Sequence, residues 1–392
     1  MKNFRSLLLL GSIFCCGLAT AFENDPELDH ECTSWMIMHD LTKNNTNILH
    51  KNRDAMSRKI TVYLSPANSP RKWIASGNDG HTTMGMNASG LAVVMNSGER
   101  CINPPNVKGK KGTPAMLRAV IESCDTAAQG VAKLKQLVNA GDYSHGEKGS
   151  IFFLLDSKEG YVCEMTAKDF TFQKYTNGYA VRANSWQNQG MQRCSRSSVH
   201  GYLNSAARLC VAYSGLNAAL DKSGKITLLD SFELSRHFQM PEKSSEKRSV
   251  CFKNTNSSAD LEIDRQYPGV LSTGYFTIGH PRHTLYVPVP VCAEKLHPAM
   301  SDLKWSAAAW QRFNKLGLAA PIPEKWLNFE KESVARYAEA KEKARKLLNQ
   351  NKRAEAVKLL NTTAENIWKK AEPQVIRLAT PFFLCQVTYR YV

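Results

Sequence analysis

Cys32-Thr33-Ser34-Trp35 holds a nucleophile whose position in the chain matters more than its type. A thiol needs a base to take its proton, and in mid-chain that base must come from elsewhere. If the chain is cut before Cys32, the freed α-amine, with an ordinary pKa near ~8, supplies the base from the same residue. Three clusters carry groups that such a thiol would use. His50-Lys51-Asn52-Arg53-Asp54 closes the return strand of an expected hairpin with Cys32–Asp40, bringing Asp54 or its neighbours back beside Cys32, where a carboxylate can orient an ammonium. The run Met84 to Gly98 contains a turn over Asn87–Gly90 and then an apolar strand expected to end at Asn96. The run Tyr179 to Trp186 reads as another strand, ending at Asn184. An uncharged amide donor stabilises a developing oxyanion without protonating it. Asparagines at strand ends are also common turn residues, so only the combination with Cys32 is specific.

Together these segments resemble the N-terminal-nucleophile hydrolases of the penicillin acyltransferase group, whose superfamily also holds choloylglycine hydrolases, penicillin V acylases and acid ceramidase-like amidases. The resemblance rests on Cys32-Thr33-Ser34, Asn52-Arg53-Asp54, Gly85 to Leu91 leading to Asn96, and the strand ending at Asn184, and spans roughly Cys32 to Val289. It implies an α+β fold, an αββα sandwich of two antiparallel sheets between helix layers, with no cofactor and no metal. It implies maturation at Glu31–Cys32 and action on linear, non-peptide C–N amide bonds. Carried over, Cys32 is nucleophile and amine base, Asp54 the acid near that amine, Asn184 the oxyanion asparagine, and Asn96 a second polar residue near the nucleophile. Arg53, Trp35 and Trp186 are expected to contact substrate, with Trp73 and Tyr275 further candidates for an acyl pocket, although core packing explains each of the aromatics better. Lys51 stands where several members carry Arg or Gly, and Glu31 where the acyltransferase precursor has Gly, leaving both autoproteolysis and protease trimming open. Arg196, Ser197 and Arg282 are candidates for the family's later arginine or serine.

These residues must be positioned by a layered domain. Short apolar or alternating runs at Trp35–Met38, Lys59–Leu64, Lys72–Ser76 and Leu91–Met95 read as strands. Two helices follow, one with Pro114 at its first position and one capped by Asp125 or Thr126. Strands resume over Ile151–Leu155, Tyr161–Met165 and Tyr179–Arg182, then helices over Ser198–Ala219 and Leu229–Phe238. Residues 242–260, polar and rich in Ser and Lys, read as a loop; Ser272–Gly279 and Thr284–Val289 read as paired strands. After Cys292 the chain turns helical, over Trp305–Leu316 and Phe329–Lys370 with a break at Asn349-Gln350-Asn351. The last pair faintly echoes a tetratricopeptide unit, but a single unit reads as a packing hairpin.

The expected domains are a signal peptide over 1–21, an acidic propeptide over 22–31, the catalytic domain over 32–292 and a helical extension over 293–392. Lys2 and Arg5, the apolar run Leu7 to Cys16, and Ala19-Thr20-Ala21 carry the signal-peptide reading, and with it an exported, periplasmic or secreted protein without a transmembrane segment. The formal charge of +16 rises to +19 without residues 1–31, which hold two basic and five acidic groups. A basic surface suits anionic substrates or an envelope surface; the scattered cations and missing modules argue against nucleic acid. Apart from Cys32 and the two signal cysteines, eight remain, Cys101, Cys124, Cys163, Cys194, Cys210, Cys251, Cys292 and Cys385, fitting up to four disulfides in an exported chain. The expected activity is hydrolysis of a small N-acyl amide through an acyl-thioester on Cys32. The alternatives are an acyltransferase of the same family, a disulfide-rich binding protein without catalysis, or a thiol protease pairing Cys32 with His50, His81, His145 or His280.

Overall fold

Strand–turn–strand repeats dominate the first half of the chain, and in the computed structural model they form two antiparallel sheets; the structure describes residues 31–78, 81–238 and 249–376. The first sheet has the order β10-β1-β2-β11-β12-β13, with β1 at Cys32–Ile37, β2 at Asn47–Asp54, β10 at Tyr179–Arg182, β11 at Thr255–Ile263, β12 at Thr273–Ile278 and β13 at Val287–Pro290. The second runs in sequence order, with β3 at Ile60–Leu64, β4 at Trp73–Asn78, β5 at His81–Asn87, β6 at Ala92–Arg100, β7 at Lys148–Leu155, β8 at Gly160–Met165 and β9 at Phe170–Tyr175.

Alternation along the strands divides the core. Ala92 and Val94 of β6, with Ile151, Phe153 and Leu155 of β7, belong to a cluster shared with the first sheet. Leu91, Val93, Phe152 and Leu154 join helices α1 (Thr113–Ser123) and α2 (Ala127–Asn139) on the outer face. Pro114 lies in the first turn of α1, and Thr126 closes a capping box with Gln129 at the start of α2. Helices α3 (Val199–Ser223) and α4 (Leu228–Ser235) cover the first sheet. Helices α5 (Lys304–Leu316), α6 (Glu324–Asn349) and α7 (Arg353–Ile376) form the C-terminal region, and α6 and α7 lie over β13. The layers are helix, sheet, sheet, helix, and the fold is the expected αββα sandwich. The C-terminal helices share its core through Trp326, Tyr337, Leu360 and Trp368.

The strand reading fails in three places. Residues 255–263 are not loop but the central strand β11, buried along its whole length despite Thr255-Asn256-Ser257-Ser258. Side-chain hydrogen bonds replace apolar burial there, including Tyr286 Oη to Ser258 Oγ at 2.5 Å and Ser231 Oγ to Asp260 Oδ1 at 2.5 Å. β9, half-exposed and polar, carries little apolar signal. Asn96 lies inside β6, which continues to Arg100, and not at its end. The expected disulfides do not join the described cysteines, all of which are free thiols; Cys385 and residues 1–30, with the signal peptide and most of the acidic segment, lie outside the described residues. No helix among the described residues is long and apolar enough to cross a membrane.

Candidate active site

Cys32 opens β1, where it is buried and paired with Arg53 directly across the β1–β2 ladder. The next pair on the same face is Ser34 with Lys51. That face meets the second sheet, so Lys51 Nζ reaches Met95 O at 2.5 Å and Asn96 Oδ1 at 2.9 Å on β6. Ser34 Oγ donates to the same Asn96 oxygen at 2.8 Å. Burial lowers the affinity of Lys51 for its proton, opposed chiefly by the neighbouring Cys32 thiol, with which it also shares a hydrogen bond. Asp54 ends β2 and accepts from Thr255 Oγ1 at 2.6 Å. Its carboxyl is pushed up to about 7, above all by burial, against the nearby Arg208 and the Thr255 bond.

Behind Cys32 stands Asn184, two residues past β10. Its Oδ1 accepts the Cys32 backbone N–H at 3.0 Å, and its amide nitrogen donates to Ser97 O at 2.7 Å. The loop that carries it is fixed by Glu164 of β8, which binds Arg182 Nε at 2.9 Å and the backbone N–H groups of Gln187 and Asn188. Asn96 Nδ2 is committed to Arg182 O at 3.3 Å and Ala183 O at 3.1 Å, so it ties β6 to the Asn184 segment and does not point a donor at Cys32.

One central residue escapes the sequence reading. Arg208, in mid-helix α3 and almost wholly buried, donates to Cys32 O at 2.6 Å, Thr33 Oγ1 at 3.1 Å and Asn184 Oδ1 at 2.9 Å. It also lies 3.4 Å from the Glu31 carboxylate. Its signal is its place in the stripe Arg208, Ala212, Leu216, Ala219, an otherwise apolar helical face that packs inward. The candidates read in its stead lie elsewhere. Arg282 binds Arg236 O and the carbonyls of Leu318 and Ala320, and Arg196 and Ser197 sit in the connection before α3.

Cys32, Lys51, Arg53 and Asp54 open on a cavity of about 430 Å³ whose other wall includes Thr83, Arg100, His145, Glu147 and Lys148. Trp35 and Trp186 do not border it. Trp35 faces the helices, stacked on His50 at 3.6 Å with its Nε1 on Ser231 Oγ. Trp186 is packed so tightly over Gly98 and Gly149 that a Cβ at either would lie 2.2–2.5 Å from its ring. Trp73 and Tyr275 are likewise core residues. Among the histidines offered for a thiol protease, His50 and His280 are buried away from the cavity. His145 borders it, but contacts Ser97 Oγ through Nε2 at 3.4 Å and Gly149 O through Nδ1 at 2.9 Å.

Residues 41–234 match the family model for acyl-coenzyme A:6-aminopenicillanic acid acyl-transferase. That span holds Asp54, Asn96, Asn184 and Arg208 and begins after Cys32. No curated protein matches the sequence. Among solved structures, a mutant of the conjugated bile acid hydrolase from Clostridium perfringens aligns at 12% identity and TM-score 0.45, covering 66% of this chain and 92% of that one. Penicillin V acylase from Agrobacterium tumefaciens aligns at 14% identity and TM-score 0.44, covering 66% and 86%. The N-acylethanolamine-hydrolyzing acid amidase ortholog from Caenorhabditis elegans aligns at 12% and 0.40, covering 61% and 94%. Residues 41–234, about half of the chain, thus form a domain of the penicillin acyltransferase family.

Proposed function

We propose that this protein is an exported amidase that hydrolyses a linear, non-peptide C–N bond of a small N-acyl substrate, after processing that makes Cys32 the first residue. The observation that carries it is the hold on the Cys32 backbone: its N–H on Asn184 Oδ1 and its C=O on Arg208. These two bonds fix the atom that becomes the α-amine once Glu31 is released.

In the mature protein, Cys32 Sγ passes its proton to that amine, directly or through one water, and attacks the amide carbonyl. Lys51 has three N–H donors; two are held by Met95 O and Asn96 Oδ1, and the third faces the thiol and steadies its ionised form. Asp54, beside the amine, favours the ammonium formed in the attack. Asn184 gives one N–H to Ser97 O and keeps a second for the oxyanion. Asn96 acts through Lys51 and the backbone of residues 182–183 and is therefore a positioning residue. The ammonium then protonates the leaving amine, and water resolves the thioester. The matched family is named for acyl transfer to an amine, which differs only in this last acceptor.

Intact-mass analysis and N-terminal sequencing of wild type and Cys32→Ala test the reading. Wild type is expected to begin at Cys32 and to hydrolyse members of a panel of penicillin V, conjugated bile acids, acyl-homoserine lactones and N-acyl amino acids. A different N-terminus, with undiminished amidase activity in Cys32→Ala, would falsify it. Retention of residues preceding Cys32 only in the variant marks maturation as autocatalytic. Acyl products trapped on an added amine instead of water would turn the assignment to acyl transfer.

A further inference from the structure

The cavity at Cys32 contains a cation that the proposed chemistry does not use. Arg53 lies directly across the ladder from Cys32, so the two side chains leave the same face of the sheet as neighbours. It borders the same cavity. Its Nη2 donates to Asn78 Oδ1, while its Nη1 is shut away from solvent and meets no acceptor among the described residues. A guanidinium carries five N–H donors and keeps its charge at any physiological pH. Buried charges are ordinarily paired, and buried donors ordinarily bonded.

The nearby carboxylates do not fill that role. Asp54, next in the chain, is turned to Thr255, and Glu147 on the opposite wall accepts from Asn106 Nδ2 at 3.2 Å. Among the described residues Arg53, half-buried, forms no ion pair, unlike the deeply buried arginines: Arg182 pairs with Glu164, Arg208 with Glu31 and Arg236 with Glu330. Burial lowers its hold on its proton, and the neighbouring Cys32 is the chief opposing influence. The guanidinium is largely desolvated beside Cys32 and has an open valence among the described residues.

We propose that Arg53 is an anion-recognition group, and that the amide cleaved at Cys32 carries a carboxylate or an isosteric oxyanion close to the scissile bond. This rests on the amidase reading of Cys32 and names its substrate class. A planar guanidinium with an open edge matches the two oxygens of a carboxylate. The anion can belong to the amine half, as in an N-acyl amino acid, or to the acyl half, as in a half-amide of a dicarboxylic acid.

Uncleavable sulfonamides separate recognition from turnover. Mature wild type and Arg53→Gln are titrated by calorimetry with N-(octylsulfonyl)glycine, with the neutral N-(octylsulfonyl)ethanolamine, and with an isomer carrying its carboxylate on the sulfonyl side. In wild type at least one anionic compound is expected to bind about tenfold or more tightly than the neutral one, a ratio within the range measured for charge-assisted hydrogen bonds. The anionic compound that binds tighter identifies the half that carries the charge. In Arg53→Gln that ratio falls toward one, and Arg53→Lys restores part of it. Equal affinity of all three compounds for wild type overturns the proposal, even if Arg53→Gln does not fold. So does a ratio unchanged in Arg53→Gln, or a uniform loss of binding for neutral and anionic compounds alike. Failure of every amide in the panel to turn over would instead remove the amidase reading, with the binding ratio still deciding the role of Arg53.

Discussion

Strands β1 and β2 present two polar faces that differ in one respect. Toward the helices stand Trp35, His50 and Asn52, and their groups are largely used up. His50 Nε2 meets Asn52 Oδ1 at 3.1 Å, and its Nδ1 lies in oblique contact with Asp260 Oδ2 at 3.1 Å. Asn52 Nδ2 donates to Ser235 O and Val250 O, and Trp35 Nε1 reaches Ser231, which in turn holds Asp260. Toward the second sheet stand the buried Cys32 and Lys51 and the half-buried Arg53, all lining a cavity, with Arg53 Nη1 meeting no acceptor among the described residues. Polarity is common to both faces. What distinguishes the site is the cavity, since the unfilled atoms of the helix face, His50 Nδ1 and Asp260 Oδ2, are enclosed against each other, whereas Arg53 lines open space that a ligand can enter.

The sharpest break in that contrast is Cys32→Ala on the cavity face. It should lower kcat on the order of 10⁶-fold, as nucleophile removal does elsewhere, with little change in the urea midpoint. On the helix face, His50→Leu should leave the Asp260 carboxyl without its imidazole and cost about 3–5 kcal/mol by equilibrium unfolding. The fraction that folds should keep its kcat; a catalytic loss larger than the folding loss would erase the distinction between the faces. Asn184→Ala, at the junction of nucleophile and loop, is expected to cost about 10²–10³ in kcat. An effect confined to KM would assign Asn184 to substrate binding and not to the oxyanion.

The smallest effect is a pH slope. Asp54 is raised from 3.8 to about 7 in the fold, so the folded chain binds this proton more tightly than the unfolded one. Its contribution to stability is fully present below pH about 4 and is lost as pH rises through about 7. Unfolding midpoints of Cys32→Ala between pH 4 and 8 should show that decline, and Asp54→Asn should flatten it. A midpoint that rises with pH across this window would show the carboxyl to be held ionised.

Local signals serve well where the chemistry of a residue and its element agree. The β1–β2 hairpin is legible from its alternation, and its register sets Arg53, the neighbour of Asp54, opposite Cys32; β10 ends at Arg182, two residues short of the expected end at Asn184. Arg208 is hidden because a mid-helix arginine reads as a solvated side chain unless its three- and four-residue neighbours are weighed with it. Trp35 and Trp186 read toward substrate because aromatic type alone does not say which side of a sheet a residue faces. Strand β11 is hidden for the opposite reason to Arg208: its hydroxyls and amides look like loop chemistry, and the partners that satisfy them are remote. Tyr286, Ser231 and Ala55 all lie far from their contacts in sequence.

The hydroxyl that holds Asp54 belongs to Thr255, 201 residues further along the chain. Beyond the matched span of 41–234, β11 must still insert between β2 and β12. A nascent chain therefore emerges with Cys32 long before the strand that completes its sheet, and long-range strand pairing of this kind forms slowly. Until residue 255 has been made and β11 has entered the sheet, β2 lies on an unfinished edge and Asp54 lacks the hydroxyl that fixes it. The surroundings of Cys32 are timed by translation, since they are complete only when about two thirds of the 392-residue polypeptide is present.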